Sequence, residues 1–111
     1  MEKKTKIYIS GPVTGTTDYL ERFAEIEKRL KDVGFSPLNP VKIQEQMPGD
    51  TRYTDYIKLS MCLLEMCDGI FVMDGWEDSD GATAEYYYAR ALGLDHYYEG
   101  EDGMFYKGWW S

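Results

Sequence analysis

Short apolar runs alternate with stretches of helical periodicity along this chain. Lys6–Ser10 (Lys-Ile-Tyr-Ile-Ser) is rich in β-branched and aromatic residues and reads as a strand, broken by Gly11, Pro12 and Gly15. Asp18 is the expected start of a helix, with Glu21 completing a capping box. Phe23, Ile26, Leu30 and Val33 then form an apolar stripe at helical spacing, ended by Gly34. Phe35–Leu38 is a short second strand, and Pro37 places it at an edge. Asn39-Pro40 opens a long connection with a second break at Pro48-Gly49. A helix is expected over about 53–66, burying Tyr56, Leu59, Leu63 and either Ile57 or Leu64. Gly69–Met73 is an apolar run short enough for a central parallel strand. Gly75–Asp80 is turn chemistry, Ser79 or Asp80 can cap the Gly81–Leu92 helix, and Gly93 stops it. Leu94–Tyr98 is the fourth expected strand.

Strand and helix in alternation predict an α/β fold: a small flavodoxin-like parallel sheet of order 2-1-3-4, with helices on both faces. The expected division is an α/β domain over 1–99 and an aromatic tail over 100–111. That tail carries Phe105, Tyr106, Trp109 and Trp110, more rings than a solvated tail holds, so it is expected to pack on this subunit or on a neighbour.

Composition narrows the class of partner. At 111 residues a single domain is expected, and 43% hydrophobic residues suffice for a core. The net charge is −8 and the basic residues are scattered, apart from Lys3, Lys4 and Lys6, which argues against a nucleic-acid polymer or an anionic membrane as partner. No apolar stretch approaches membrane-spanning length, and no signal-peptide core follows the first lysines. Cys62 and Cys67 are spaced to point to different sides of a helix, so they are read as two buried free thiols of a cytoplasmic protein. His96 has no companion ligands, so no metal is expected.

The loops after strands one, two and three open on one sheet edge, where α/β sheets bind ligands. They carry Ser10-Gly11-Pro12-Val13-Thr14-Gly15, Asn39-Pro40 and Asp74–Gly81; Tyr8 lies near the end of the first strand. The helix start at Ser79–Ala82 offers free N–H groups to an anion. Glu85, a little way into that helix at an expected partly exposed position, could attack a sugar carbon. The glycine spacing is neither a dinucleotide fingerprint nor a Walker loop.

Ile7-Tyr8-Ile9-Ser10-Gly11-Pro12-Val13-Thr14-Gly15, Asn39-Pro40, Cys67-Asp68-Gly69-Ile70 and Gly75-Trp76-Glu77-x-Ser79-x-Gly81-Ala82-x-x-Glu85 occur in order over about residues 6–94. Together they resemble the DUF4406 branch of the nucleoside 2-deoxyribosyltransferase-like superfamily. The resemblance implies cleavage or transfer at the N-glycosidic bond of a 2-deoxynucleoside or its 5′-monophosphate. By that resemblance Glu85 is the nucleophile that forms a deoxyribosyl ester, Tyr8 orients it, and Gly11, Pro12, Asn39, Ser79, Gly81 and Ala82 bind substrate. Ser79 matches the position that contacts a 5′-phosphate in the monophosphate hydrolases and tilts the reading toward a phosphorylated ligand. The superfamily's usual aspartate on the second helix is Ser60 here, which leaves Asp74 or Asp55 as candidate auxiliary acids. No cofactor is implied, the partner is a small nucleoside or nucleotide, and a homodimer or higher homo-oligomer is expected. The alternatives are a nucleotide-binding module without turnover, or a phage or bacterial accessory protein.

Overall fold

The computed structural model describes residues 4–110, so Lys3 and Ser111 lie outside the described residues. In chain order come β1 (Lys6–Ser10), α1 (Tyr19–Asp32), β2 (Ser36–Leu38), α2 (Pro40–Gln44), α3 (Tyr53–Glu65), β3 (Gly69–Val72), a 3-10 turn (Trp76–Asp78), α4 (Asp80–Leu92), β4 (Asp95–Glu99) and β5 (Phe105–Gly108). The sheet order is β2-β1-β3-β4-β5. The first four strands run parallel in the expected order, and β5 adds an antiparallel edge.

Strand alternation sorts the core into two layers. Ile7, Ile9, Phe71 and Met73 face α1, where Phe23, Ile26 and Leu30 are buried. Tyr8, Ile70 and Val72 face the α3–α4 side, against Leu64, Cys67 and Ala89. Val33, expected in the α1 stripe, is 66% exposed because it caps the helix as the chain turns away. The expected capping box also fails, since the Asp18 side chain makes no capping bond. On α3 the buried residues are Ser60 and Leu64; Leu64 is one of the two alternatives expected, while Tyr56, Leu59 and Leu63 are only half-buried. Cys62 is exposed, correcting the expectation of two buried thiols; Cys67 is buried, and that burial pushes its thiol up to about 11.

Two elements were absent from the sequence reading. The Asn39–Pro40 connection contains α2, with the Asn39 side chain accepting from the Val41 N–H at 3.2 Å and Pro40 in the first turn. Lys42 of α2 pairs with Glu27 of α1 at 2.8 Å, and Asn39 donates to the same carboxylate. Burial raises the Glu27 carboxyl, but these bonds and one from Lys31 outweigh it and hold it below its usual value.

The second is β5, built from the aromatic tail. Phe105 meets Phe71 with ring centroids 4.5 Å apart, and the Arg29 guanidinium lies 3.9 Å over the Phe105 ring. Trp110 stacks on His96 at 4.7 Å and donates its indole N–H to the Leu94 carbonyl. Gly108 makes this possible, because a Cβ there would sit 2.4 Å from His96 Nδ1. Trp109, by contrast, is 79% exposed.

Candidate active site

Tyr8 and Ser10 are two apart on β1 and so project from the same sheet face, toward α3 and α4. Both are buried. On α4 the buried residues are Ala82, Glu85 and Ala89, so Glu85 stands where a helix packed on a sheet ordinarily carries an apolar side chain. It is 8% exposed, not partly exposed as its helical position suggests, because α4 turns this face inward. Ser60 occupies the matching position on α3, one turn before Leu64.

These four polar side chains meet. The Tyr8 hydroxyl donates to Oε2 of Glu85, and the Ser10 hydroxyl donates to Oε1 at 2.7 Å. The Ser60 hydroxyl lies beside this pair and favours the charged forms of both Tyr8 and Glu85. A buried carboxylate normally requires such donors on both oxygens. Burial raises the Glu85 carboxyl above the ordinary glutamate value, opposed by the bonds from Tyr8 and Ser10 and by Ser60. Burial, with the neighbouring Glu85 charge, lifts the Tyr8 phenol well above its usual range, so Tyr8 stays a donor at neutral pH.

Glu85 lies at the base of a cavity of about 860 Å³ at the carboxyl ends of the parallel strands. Gly11 opens the wall beside β3: a Cβ there would lie 2.7 Å from Met73 Sδ and 2.9 Å from its Cβ. Ser79, Gly81 and Ala82 line the opposite side, and the Ser79 hydroxyl accepts from the Ala82 N–H at 3.2 Å, capping α4. Tyr19, Tyr53 and Tyr56 add aromatic surface.

Other sequence candidates stand apart from Glu85. Asn39 is occupied in capping α2, and Pro12 packs beside Gly75. Asp55 accepts from Arg52 through backbone and side chain, which holds its carboxyl below the usual range. Asp74 is exposed; its carbonyl accepts from Arg22 and its N–H donates to Glu99. Among the described residues no group of three or more His, Cys, Asp or Glu is placed to hold a metal ion, and no helix is long and apolar enough to cross a membrane.

Sequence reasoning missed Ser10 as a partner of Glu85, although the two-residue alternation from Tyr8 carries that signal. It also missed the walls from the α2–α3 segment, including Gln44, Met47 and Pro48, because α2 itself went unread.

Residues 5–98 match the domain of unknown function DUF4406. The chain belongs to the DUF4406 family. No curated protein sequence matches this DUF4406 member. Among solved structures its fold is similar to that of a 2-deoxyribosyltransferase from the psychrotolerant bacterium Bacillus psychrosaccharolyticus, described as a biocatalyst for the synthesis of antiviral and antitumoral nucleosides. The two share 22% sequence identity with a TM-score of 0.66, over 82% of this chain and 69% of the other. The DUF4406 chain thus has the nucleoside 2-deoxyribosyltransferase-like fold.

Proposed function

We propose that this DUF4406 protein cleaves or transfers at the N-glycosidic bond of a 2-deoxynucleoside or its 5′-monophosphate. The observation that carries the reading is the buried Glu85 carboxylate, held by Tyr8 and Ser10 at the base of an open cavity. A carboxylate fixed by donors on both oxygens is oriented for attack without reorganising. Glu85 attacks C1′, and the bond to the base nitrogen breaks with its electron pair going to the base, which takes up a proton. The resulting deoxyribosyl-glutamate ester is then opened by water, giving hydrolysis, or by a second base, giving transfer. Tyr8 and Ser10 are the positioning residues, and Gly11 with the Ser79–Ala82 helix start borders the sugar. A thermal-shift screen of nucleosides and nucleotides, followed by base-release assay of those that bind, tests the reading. Failure of every deoxynucleoside and deoxynucleotide to bind overturns it.

One observation favours a second reading, a nucleotide-binding module without turnover. Ser60 stands in the cluster where an acid would protonate the leaving base, and a hydroxyl is a poor proton donor. Binding without base release in the wild-type protein would select that reading.

The raised Glu85 carboxyl gives a pH signature. The nucleophile must be ionised, so turnover rises as pH climbs through a value above that of ordinary glutamate. Ser10→Ala removes one donor to the charged form and moves the rising limb to higher pH. A pH–rate profile checks both, and an unmoved limb in Ser10→Ala would remove Ser10 from the mechanism.

We also propose a homodimer, with α3 and α4 near the contact. Tyr53 and Tyr87 on these helices are 59% and 56% exposed, and aromatic residues are enriched at interfaces. Sedimentation at micromolar concentration is expected to give a dimer; a fully active monomer would refute the assembly.

A further inference from the structure

The charges around the cavity are one-sided. Glu45, Asp78 and Asp80 line it together with Glu85, and among the described residues no Lys, Arg or His does so. The three rim carboxylates are exposed, and none is in an ion pair among the described residues. Of the basic side chains on flanking segments, Lys58 of α3 does not line the cavity, and three others are engaged elsewhere. Lys42 pairs with Glu27 at 2.8 Å, Arg52 with Asp55 at 3.2 Å, and Arg22 donates to the Asp74 carbonyl.

The start of α4, at Ser79–Ala82 in the cavity wall, is a feature that would attract an anion. Its Ser79 hydroxyl accepts from the Ala82 N–H, and Asp80 and Gly81, whose N–H groups have no partner within the helix, line the cavity. A helix N-terminus carries only about half a unit of positive charge. Two of the three carboxylates, Asp78 and Asp80, flank that same terminus. A phosphate there would meet more negative charge than positive. It would also present only acceptors to carboxylates that themselves only accept. A sugar hydroxyl, in contrast, can donate to either aspartate, and the aromatic residues Tyr19, Tyr53 and Tyr56 line the cavity that would take a base.

We infer that the site selects an uncharged 2-deoxynucleoside over its 5′-monophosphate, and that Glu45, Asp78 and Asp80 make that selection. The inference rests on the glycosidic reading of the site and reverses the tilt toward phosphate that Ser79 suggests in the sequence.

The test is calorimetric binding of each deoxynucleoside and its matching 5′-monophosphate to the Glu85→Gln protein, which holds ligand without turnover. The nucleoside is expected to bind about tenfold tighter or more at low ionic strength. The gap narrows at high salt, as screening of exposed charges requires. It also narrows in a protein carrying Glu45→Gln, Asp78→Asn and Asp80→Asn. The salt arm needs no further substitution and so stands even if the triple variant folds poorly. Equal or tighter binding of the monophosphate at low salt would overturn the inference while leaving the glycosidic reading in place. A nucleoside preference that neither salt nor the triple variant changes would overturn the assignment to these three carboxylates. Failure of both ligand classes to bind would overturn the glycosidic reading and this inference with it.

Discussion

Glu85→Gln stops base release by about a thousandfold or more while the protein stays folded, because the amide cannot form the ester on which turnover depends. Its stability is the more discriminating readout. Burial raises the Glu85 carboxyl in the folded protein, so the folded state holds the proton more tightly than the unfolded chain. That contribution to stability is fully present below the unfolded pKa and is lost as pH rises through the folded value. At neutral pH the wild-type protein therefore carries a charge its fold disfavours. Glu85→Gln is expected to melt no lower than wild type at neutral pH, with wild type gaining relative to the variant as the solution is acidified. Glu85→Ala also abolishes release, but it leaves the Tyr8 and Ser10 hydroxyls facing a void. Each unsatisfied buried donor costs about 1–3 kcal/mol, so the Ala variant melts lower. Base release by liquid chromatography and thermal melts across pH check these outcomes. Undiminished release from pure Glu85→Gln protein would eliminate Glu85 as the nucleophile.

Phe71→Ala is expected to give the largest loss of stability. Phe71 is fully buried on the central strand β3, between the α1 side chains and Phe105 of the C-terminal strand. Truncating such a residue costs about 3–5 kcal/mol, a large share of the roughly 5–15 kcal/mol that holds a domain together. Phe105→Ala costs less, since that ring is only half-buried. The double variant is less destabilised than the sum of the two, because the rings contact each other. Denaturant titration of the three variants measures this. Strict additivity would mean that β5 does not share the core of the parallel sheet.

The parallel core was legible because β1 and β3 carry apolar runs beside glycines, and the main helices between them end at Gly34 and Gly93 or lead into Gly69, which places the polar β2 and β4 by alternation. Glu85, Tyr8, Gly11 and the Ser79–Ala82 helix start were recognisable as a constellation because they sit at the ends of those elements. The inward rotation of α4 was not legible. Ala82, Glu85 and Ala89 form a stripe too weakly apolar to fix a buried face, and the neighbouring Tyr86, Tyr87 and Tyr88 obscure it. Ser60 was noticed as an absence of acid, whereas its packing beside Leu64 puts a hydroxyl into the cluster. The strand β5 was hidden by its glycines and by a charged residue, Lys107, since its pairing with β4 is decided by distant ring contacts more than by local propensity.

The antiparallel pairing of β5 also governs how copies of this protein behave when crowded. Without it β4, five residues long and rich in tyrosine, would offer its unpaired N–H and C=O groups as a template for another strand. With it, the sheet ends on one side in four residues that include Lys107 and Gly108, and on the other in the three residues of β2 around Pro37. Short edges bearing a charge or a proline pair poorly with foreign strands. The C-terminal aromatic segment thus serves as a guard against edge-to-edge aggregation.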